Sequence, residues 1–158
     1  MPKIIDTKKG RILEDVVSLP YRWAYGPVWT RFFDEFKQKR IMGTKCPQCK
    51  RVLVPARKFC PRCFEDTDEW VEVSSEGIIK TWVMITFEFT GQVQKPPYIE
   101  AMIDLDGADT SFNHLIGGID LNDFSKVKER VKIGGRVKAK WAKDRKGDIH
   151  DIEYFEPV

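Results

Sequence analysis

Hydrophobic residues recur with a helical period early in the chain and with a strand period later. Trp29, Phe32, Phe33 and Phe36 fall at i, i+3, i+4 and i+7, which makes one aromatic face of a helix. Gly26-Pro27 opens that helix, because proline suits the first turn. Lys37, Lys39 and Arg40 sit in its expected last turns, where cations favour the helix dipole, and Gly43 is the expected stop. The spacing thus predicts a helix over 27–40. Residues 1–20 carry few core signals and read as an extended arm. Two readings of the aromatic stripe stay open: internal packing against the rest of the chain, or a docking helix for a partner protein.

From Trp70 the period changes to two. Ile79, Thr81, Val83, Ile85, Phe87 and Phe89 alternate with other residues and predict a long strand. A proline-containing loop over 92–97 leads to a second strand, 98–105, closed by an Asp106-Gly107 turn. A third strand spans 111–116 and ends at Gly117-Gly118. Leu121, Phe124, Val127 and Val131 have a helical period and predict a short helix. Val137, Ala139 and Trp141 alternate with Arg136, Lys138 and Lys140, a fourth strand with one basic face, and 149–155 is the last. Five strands with a helix between the third and fourth is the order of an OB-fold, a small Greek-key barrel.

The four cysteines lie between these two regions and nowhere else. Cys46, Cys49, Cys60 and Cys63 form C-P-Q-C, ten residues, then C-P-R-C. A tetrahedral zinc takes four thiolates at about 2.3 Å, and two tight turns can each present two. A lone redox disulfide is the alternative, disfavoured in a reducing compartment. Four cysteine ligands close the coordination sphere, which suits a structural ion rather than a catalytic one. Glycine often follows such knuckles because a positive φ helps there, yet here Lys50 and Phe64 do. The expected architecture is therefore mostly β with an N-terminal helix: a rubredoxin-like zinc ribbon followed by a five-stranded OB-fold barrel. The expected boundaries are 1–43 for arm and helix, 44–69 for the ribbon and 70–158 for the barrel.

Charge is nearly balanced, 27 basic against 24 acidic residues in 158, too even for a dedicated polyanion binder. It is unevenly placed: nine Lys or Arg and no Asp or Glu lie between Phe36 and Phe64, and an acidic cluster follows at Glu65, Asp66, Asp68 and Glu69. Arg57, Lys58 and Arg62 have no acidic neighbour close in sequence, so they are the candidate contacts for a phosphate-bearing ligand. The N-terminus lacks an apolar secretion core and the chain lacks a long apolar run, so a soluble, cytoplasmic protein is expected. Phosphate-loop, dinucleotide, nucleophile-elbow and zinc-protease motifs are absent. His114 reads as a packed histidine, and Asp104, Asp106 and Asp109 as turn chemistry. No residue set supports a free-standing enzyme.

Several segments together resemble a known family: G-T-K-C-P-Q-C at 43–49, L-V-P-A-R-K-F-C-P-R-C at 53–63, E-W-V-E-V-S-S-E-G-I-I at 69–79, D-L-D-G-A-D at 104–109 and I-G-G-R-V-K-A-K-W at 133–141. The order is similar to that of the two-domain zinc-ribbon and OB-fold proteins associated with acyl-CoA metabolism, long catalogued as a domain of unknown function. The resemblance covers about residues 20–156. Where that family usually has F-P-P-R, this chain has Val54-Pro55-Ala56-Arg57. The resemblance implies bound zinc and a non-catalytic, acyl-CoA-binding subunit or scaffold of a thiolase-superfamily enzyme. In some archaea such a member bridges a thiolase and hydroxymethylglutaryl-CoA synthase. The contrasting reading is a single-stranded nucleic-acid-binding OB protein. That reading calls for aromatic and basic residues interleaved on one strand face, which the 136–140 strand lacks.

Overall fold

The computed structural model describes residues 3–14, 22–89, 91–92 and 94–158. Residues 15–20 of the expected arm and position 93 of the expected proline loop lie outside the described residues.

The start of the arm is a hairpin rather than an extended segment. Strand β1 (Lys3–Thr7) pairs antiparallel with β2 (Gly10–Glu14), placing Ile4 opposite Leu13 and Ile5 opposite Ile12. Every residue of both strands is exposed.

Helix α1 spans Gly26–Phe36, shorter than the expected 27–40. Lys39 takes a left-handed conformation at φ 59°. The backbone N–H groups of Lys37, Lys39 and Arg40 fold back onto the carbonyls of Asp34, Phe36 and Glu35 and close the helix. The three cations therefore lie beyond the last turn. Arg40 instead pairs with Glu35, and Lys37 with Asp34 at 2.6 Å. Gly43 is not the stop. It sits inside strand β3 (Ile41–Lys45), where an added Cβ would lie 2.6 Å from Val52 Cγ1 and 3.0 Å from Val54 Cγ2. Close approach of two strands, not helix termination, accounts for this glycine.

The ribbon is a three-stranded sheet with β3 between β4 (Val52–Leu53) and β5 (Glu69–Val73). The barrel follows: β6 (Glu76–Ile85), β7 (Tyr98–Leu105), β8 (Phe112–Ile116), helix α2 (Phe124–Arg130), β9 (Arg136–Trp141) and β10 (Ile152–Pro157). It closes in the order β10-β8-β7-β6-β9, with β8 and β10 parallel and the other pairs antiparallel. Asp123 caps α2 by accepting from the Ser125 and Lys126 backbone N–H groups. The chain is therefore mostly β, a zinc ribbon and then a five-stranded OB barrel.

Two strands depart from the sequence expectation. A bulge at Lys80 shifts the register between Ile79 and Thr81, so the alternation changes phase. Ile79 points inward as expected, but Thr81 and Val83 are exposed, and Trp82 and Met84 pack on the core instead. The strand ends at Ile85, leaving Phe87 and Phe89 outside it and exposed. At the other end, Ile149–Asp151 is a short 3-10 turn, so the last strand begins at Ile152.

Helix, ribbon and barrel share one continuous core. Phe32 and Phe36 are fully buried, with Phe32 6.4 Å from Phe112 of the barrel and Phe36 5.7 Å from Trp141, centroid to centroid. Asp109 of the expected acidic turn and Thr110 just after it fasten ribbon to barrel. Asp109 Oδ2 accepts from Val52 N–H at 2.8 Å, and Asp109 N–H donates to the Val52 carbonyl at 2.8 Å. Thr110 Oγ1 accepts from Val54 N–H and donates to the Val54 carbonyl. Among the described residues, no helix is long and apolar enough to cross a membrane.

Candidate metal centre and its surroundings

The two knuckles are near repeats of each other. Lys50 N–H donates to the Cys46 carbonyl and Cys46 N–H to that of Arg51. Phe64 N–H donates to the Cys60 carbonyl and Cys60 N–H to that of Glu65. Each turn closes through a residue with positive φ, Lys50 at 62° and Phe64 at 60°. The backbone thus takes the conformation that glycine usually supplies, at a cost of about 1–2 kcal/mol per position.

This geometry brings all four expected ligands together. The sulfur atoms of Cys46, Cys49, Cys60 and Cys63 lie within 4.8 Å of one another, with Cys46 and Cys60 buried. The Cys49 and Cys60 sulfurs are 3.7 Å apart, far beyond a disulfide bond, and all four cysteines are unpaired. Sulfurs bound at 2.3 Å to a tetrahedral ion stand about 3.8 Å apart, so the set fits zinc. Electrostatics point the same way. Burial raises the Cys60 thiol, but the N–H groups of Arg62 and Cys63 and the thiols of Cys46 and Cys49 draw it down to about 7. Burial and the other three sulfurs push Cys63 up to about 12. One thiolate forms readily while the last resists, and a divalent cation relieves that crowding.

The candidate phosphate contacts are arranged less simply. Arg57, Lys58 and Arg62 are all exposed. The buried Thr44 and Thr67 hydroxyls both donate to the Arg57 carbonyl, which fixes the turn before the second knuckle. Lys58 is not free. The hairpin folds the acidic cluster back onto it, with Asp66 at 3.3 Å and Asp68 at 2.9 Å, and these hydrogen bonds raise its pKa. Sequence distance concealed this pairing. Exposed Phe59 and Phe64 border the same knuckle, a feature the sequence reading did not single out.

The candidate docking aromatics are mostly interior. Phe32, Phe33 and Phe36 are buried against the shared core. Trp29 is half-buried, and its Nε1–H donates to the Ala56 carbonyl at 3.1 Å. The three phenylalanines of the stripe are therefore core packing, and of the four rings only Trp29 reaches the surface. Exposed apolar surface lies just before it. Trp23 is 67% exposed and Tyr25 42%, and both meet Trp29 edge-to-face at about 6 Å. The hairpin adds exposed Ile4, Ile5, Ile12 and Leu13. The apolar pairs Ile4-Ile5 and Ile12-Leu13 on either side of Lys8-Lys9-Gly10 were the available signal for it.

Two of the three cations of the basic strand are paired within the fold, and Lys140 is exposed with no ion pair among the described residues. Arg136 makes paired contacts to Asp106 at 2.9 and 2.7 Å, and Lys138 meets Glu76 at 2.9 Å. His114 is buried, as expected for a packed histidine. Its Nε2 is 3.2 Å from the Ile149 carbonyl, Nδ1 has no partner, and burial lowers its pKa.

Comparison with known proteins follows this geometry. Residues 33–69 match the family described as ChsH2, rubredoxin-like zinc ribbon domain, and residues 70–142 match ChsH2, C-terminal OB-fold domain. A DUF35 domain-containing scaffold protein of Methanocaldococcus jannaschii is 28% identical over 67 residues, 42% of this chain and 48% of that protein. The chain thus spans about half the length of this curated relative. A solved structure described as an Ltp2-ChsH2(DUF35) aldolase matches 86% of this chain and 98% of its own, with TM-score 0.62 and 22% identity, a likeness of fold. A protein of unknown function from the DUF35 family of Sulfolobus solfataricus matches 72% of this chain and 78% of its own, with TM-score 0.56 and 28% identity.

Proposed function

Because the chain belongs to the ChsH2 family of zinc-ribbon and OB-fold proteins, we propose that it is a non-catalytic, acyl-CoA-binding subunit or scaffold that docks on a thiolase-superfamily enzyme. A second docked enzyme, hydroxymethylglutaryl-CoA synthase, fits the same bridging role. The relative named as a scaffold supports the role. Zinc held by Cys46, Cys49, Cys60 and Cys63 fixes the ribbon and, with four cysteine ligands, leaves no open position for chemistry.

The observation that carries the docking role is the N-terminal apolar surface. A two-stranded hairpin is marginal alone in water, yet β1 and β2 are wholly exposed and carry four large aliphatic side chains. Trp23 and Tyr25 add exposed rings, the residue type that anchors interfaces. The docking surface is accordingly moved from the buried face of α1 to the hairpin and the residues before the helix. For the CoA moiety, Arg57 and Arg62 are the better cations, since Lys58 is held by two aspartates. Exposed Phe59 and Phe64 offer faces for adenine stacking. The nucleic-acid reading is weakened because two of the three cations of the basic strand, Arg136 and Lys138, are already paired.

The test is capture of partners from the native host by the tagged full chain, read by mass spectrometry. Wild type should bring down a thiolase-superfamily enzyme, and an Ile4→Lys/Leu13→Lys/Trp23→Ala variant should lose it while keeping its zinc. Arg57→Glu should raise the KM of the complex for CoA substrates. Recovery of RNA in place of an enzyme would overturn the reading.

A further inference from the structure

The outward face of the barrel strands β6, β7 and β8 is mixed: Asp104, paired with Lys80, stands at one end, and an apolar patch around Glu100 at the other. The register lays Thr81, Met102 and Asn113 in one row and Val83, Glu100 and Leu115 in the next. The third row runs from Ile85 to Tyr98 and, one pair beyond Ile99–Ile116, to Gly117. Gly117 lets the row continue: an added Cβ would lie 2.5 Å from Cγ of the Tyr154 ring and 2.8 Å from both Cδ atoms. Tyr154 therefore lies on the backbone beside Tyr98. A cavity of about 420 Å³ opens here, lined by Tyr98, Leu115, Tyr154 and Glu153. A second, of about 160 Å³, shares Leu115 and His150 with the first and adds Glu100 and Asn113.

Glu100 is half-buried and has no ion-pair partner among the described residues, although the sheet is rich in cations. Lys80 is taken by Asp104 at 3.5 Å, Lys138 by Glu76 and Arg136 by Asp106, while Lys140, opposite Tyr154 on β9, is exposed and lines neither cavity. Among the described residues no Lys or Arg lines either cavity; the basic side chains there are the imidazoles of His150 and, in the smaller cavity, the buried His114. A half-buried carboxylate set among Val83, Met102 and Leu115 loses part of its hydration, and an incoming cation would offset that loss. This is the strand face, with its two neighbouring loops, by which OB-folds take nucleotides and sugars. A phosphate arriving here would meet Glu100 and Glu153 instead of a cation.

The geometry points to a recognition groove for an extended protein segment that carries an arginine or lysine between apolar residues. Its apolar side chains rest on Val83, Met102 and Leu115, and its cation is met by Glu100, with Glu153 at the rim. A guanidinium suits the site best, because it pairs with a carboxylate through two parallel N–H donors and stacks on tyrosine. The groove uses none of the residues assigned above to docking or to CoA, so it stands or falls apart from that reading.

The test uses isotopically labelled, zinc-loaded full chain and three peptides, acetyl-Val-Arg-Val-Arg-Val-amide and its citrulline and glutamate counterparts, followed by NMR. The arginine peptide should shift the amides of Glu100, Leu115 and Tyr154. Glu100→Gln, which removes the charge but keeps the shape, should weaken it about tenfold, and the citrulline peptide should bind wild type as weakly as the arginine peptide binds that variant. The unliganded spectrum of Glu100→Gln should stay native elsewhere, since the carboxylate has no ion-pair partner among the described residues to lose. Absence of shifts at about 1 mM arginine peptide, equal binding of the glutamate peptide, or the same shifts with coenzyme A or oligothymidine would each overturn the assignment. Failure to capture an enzyme partner would leave these shifts unchanged, which separates the two proposals.

Discussion

Replacing Phe36 by alanine separates packing from docking in the aromatic helix. Phe36 is fully buried, with ring centroids 5.0 Å from Phe32, 5.6 Å from Phe33 and 5.7 Å from Trp141. Burying a phenylalanine removes about 150–200 Å² from water, which at about 25 cal/mol per Å² comes to about 4 kcal/mol. Core Phe→Ala changes, which add a cavity, cost about 3–5 kcal/mol. Against a typical total of about 5–15 kcal/mol, that loss moves the urea midpoint strongly. The assay is urea denaturation of the zinc-loaded chain by far-ultraviolet circular dichroism, because Trp141 beside the ring would alter fluorescence for trivial reasons. Trp23→Ala is the control: at 67% exposure it should stay within about 0.5 kcal/mol of wild type. A loss below about 1 kcal/mol for Phe36→Ala, together with loss of partner binding, would refute the packing argument and return the helix to the docking surface.

Purified chain should carry about one equivalent of zinc by elemental analysis, and Cys60→Ser should unfold the ribbon, since metal binding supplies much of the folding energy of such modules; a folded, metal-free chain with two disulfides contradicts this. At φ 60° Phe64 is strained, so Phe64→Gly should leave the melting temperature unchanged or raise it, while β-branched Phe64→Val should lower it by about 1–2 kcal/mol of stability; the reverse order would disprove the strain. Burial depresses the His114 pKa below its usual ~6.5, so the unfolded chain binds the extra proton first and stability falls as pH drops below about 6.5. Denaturation midpoints at pH 7.5 and 5.5 should differ more for wild type than for His114→Phe; equal differences would remove His114 from the acid sensitivity.

The barrel was legible because its strands obey simple alternation at 98–105, 111–116 and 136–141, and because short turns at Asp106-Gly107 and Gly117-Gly118 fall between them. The first barrel strand was misread beyond Ile79 because it ends at Ile85, short of Phe87 and Phe89, and because it carries a bulge. A single inserted residue, Lys80, exchanges the two faces, and nothing in the composition of Thr81 to Ile85 marks the change. The cysteine cluster was legible because four ligands at fixed spacing constrain geometry locally. The cation sites were not, because counter-ions arrive through pairing across strands. Lys58 meets Asp66 and Asp68 across the ribbon turn, and Arg136 meets Asp106 from thirty residues away. The carboxylate of Glu100 stands out only once those pairings have used up its neighbours.

These pairings also explain how one small chain can present several surfaces at once. The ribbon and barrel are held by reciprocal hydrogen bonds at Val52–Asp109 and Val54–Thr110, and α1 closes the seam with buried rings from its aromatic face. Each contact is worth only about 1 kcal/mol net, but leaving the buried Val52 N–H unpaired would cost about 1–3 kcal/mol, so the seam resists hinging. A rigid seam fixes the knuckle cations Arg57 and Arg62 relative to the barrel groove. The Thr44 and Thr67 hydroxyls hold the turn that carries Arg57, and so set the position of one candidate ligand surface against another. A scaffold gains from that arrangement, because partners held at fixed separation need no further ordering when they meet.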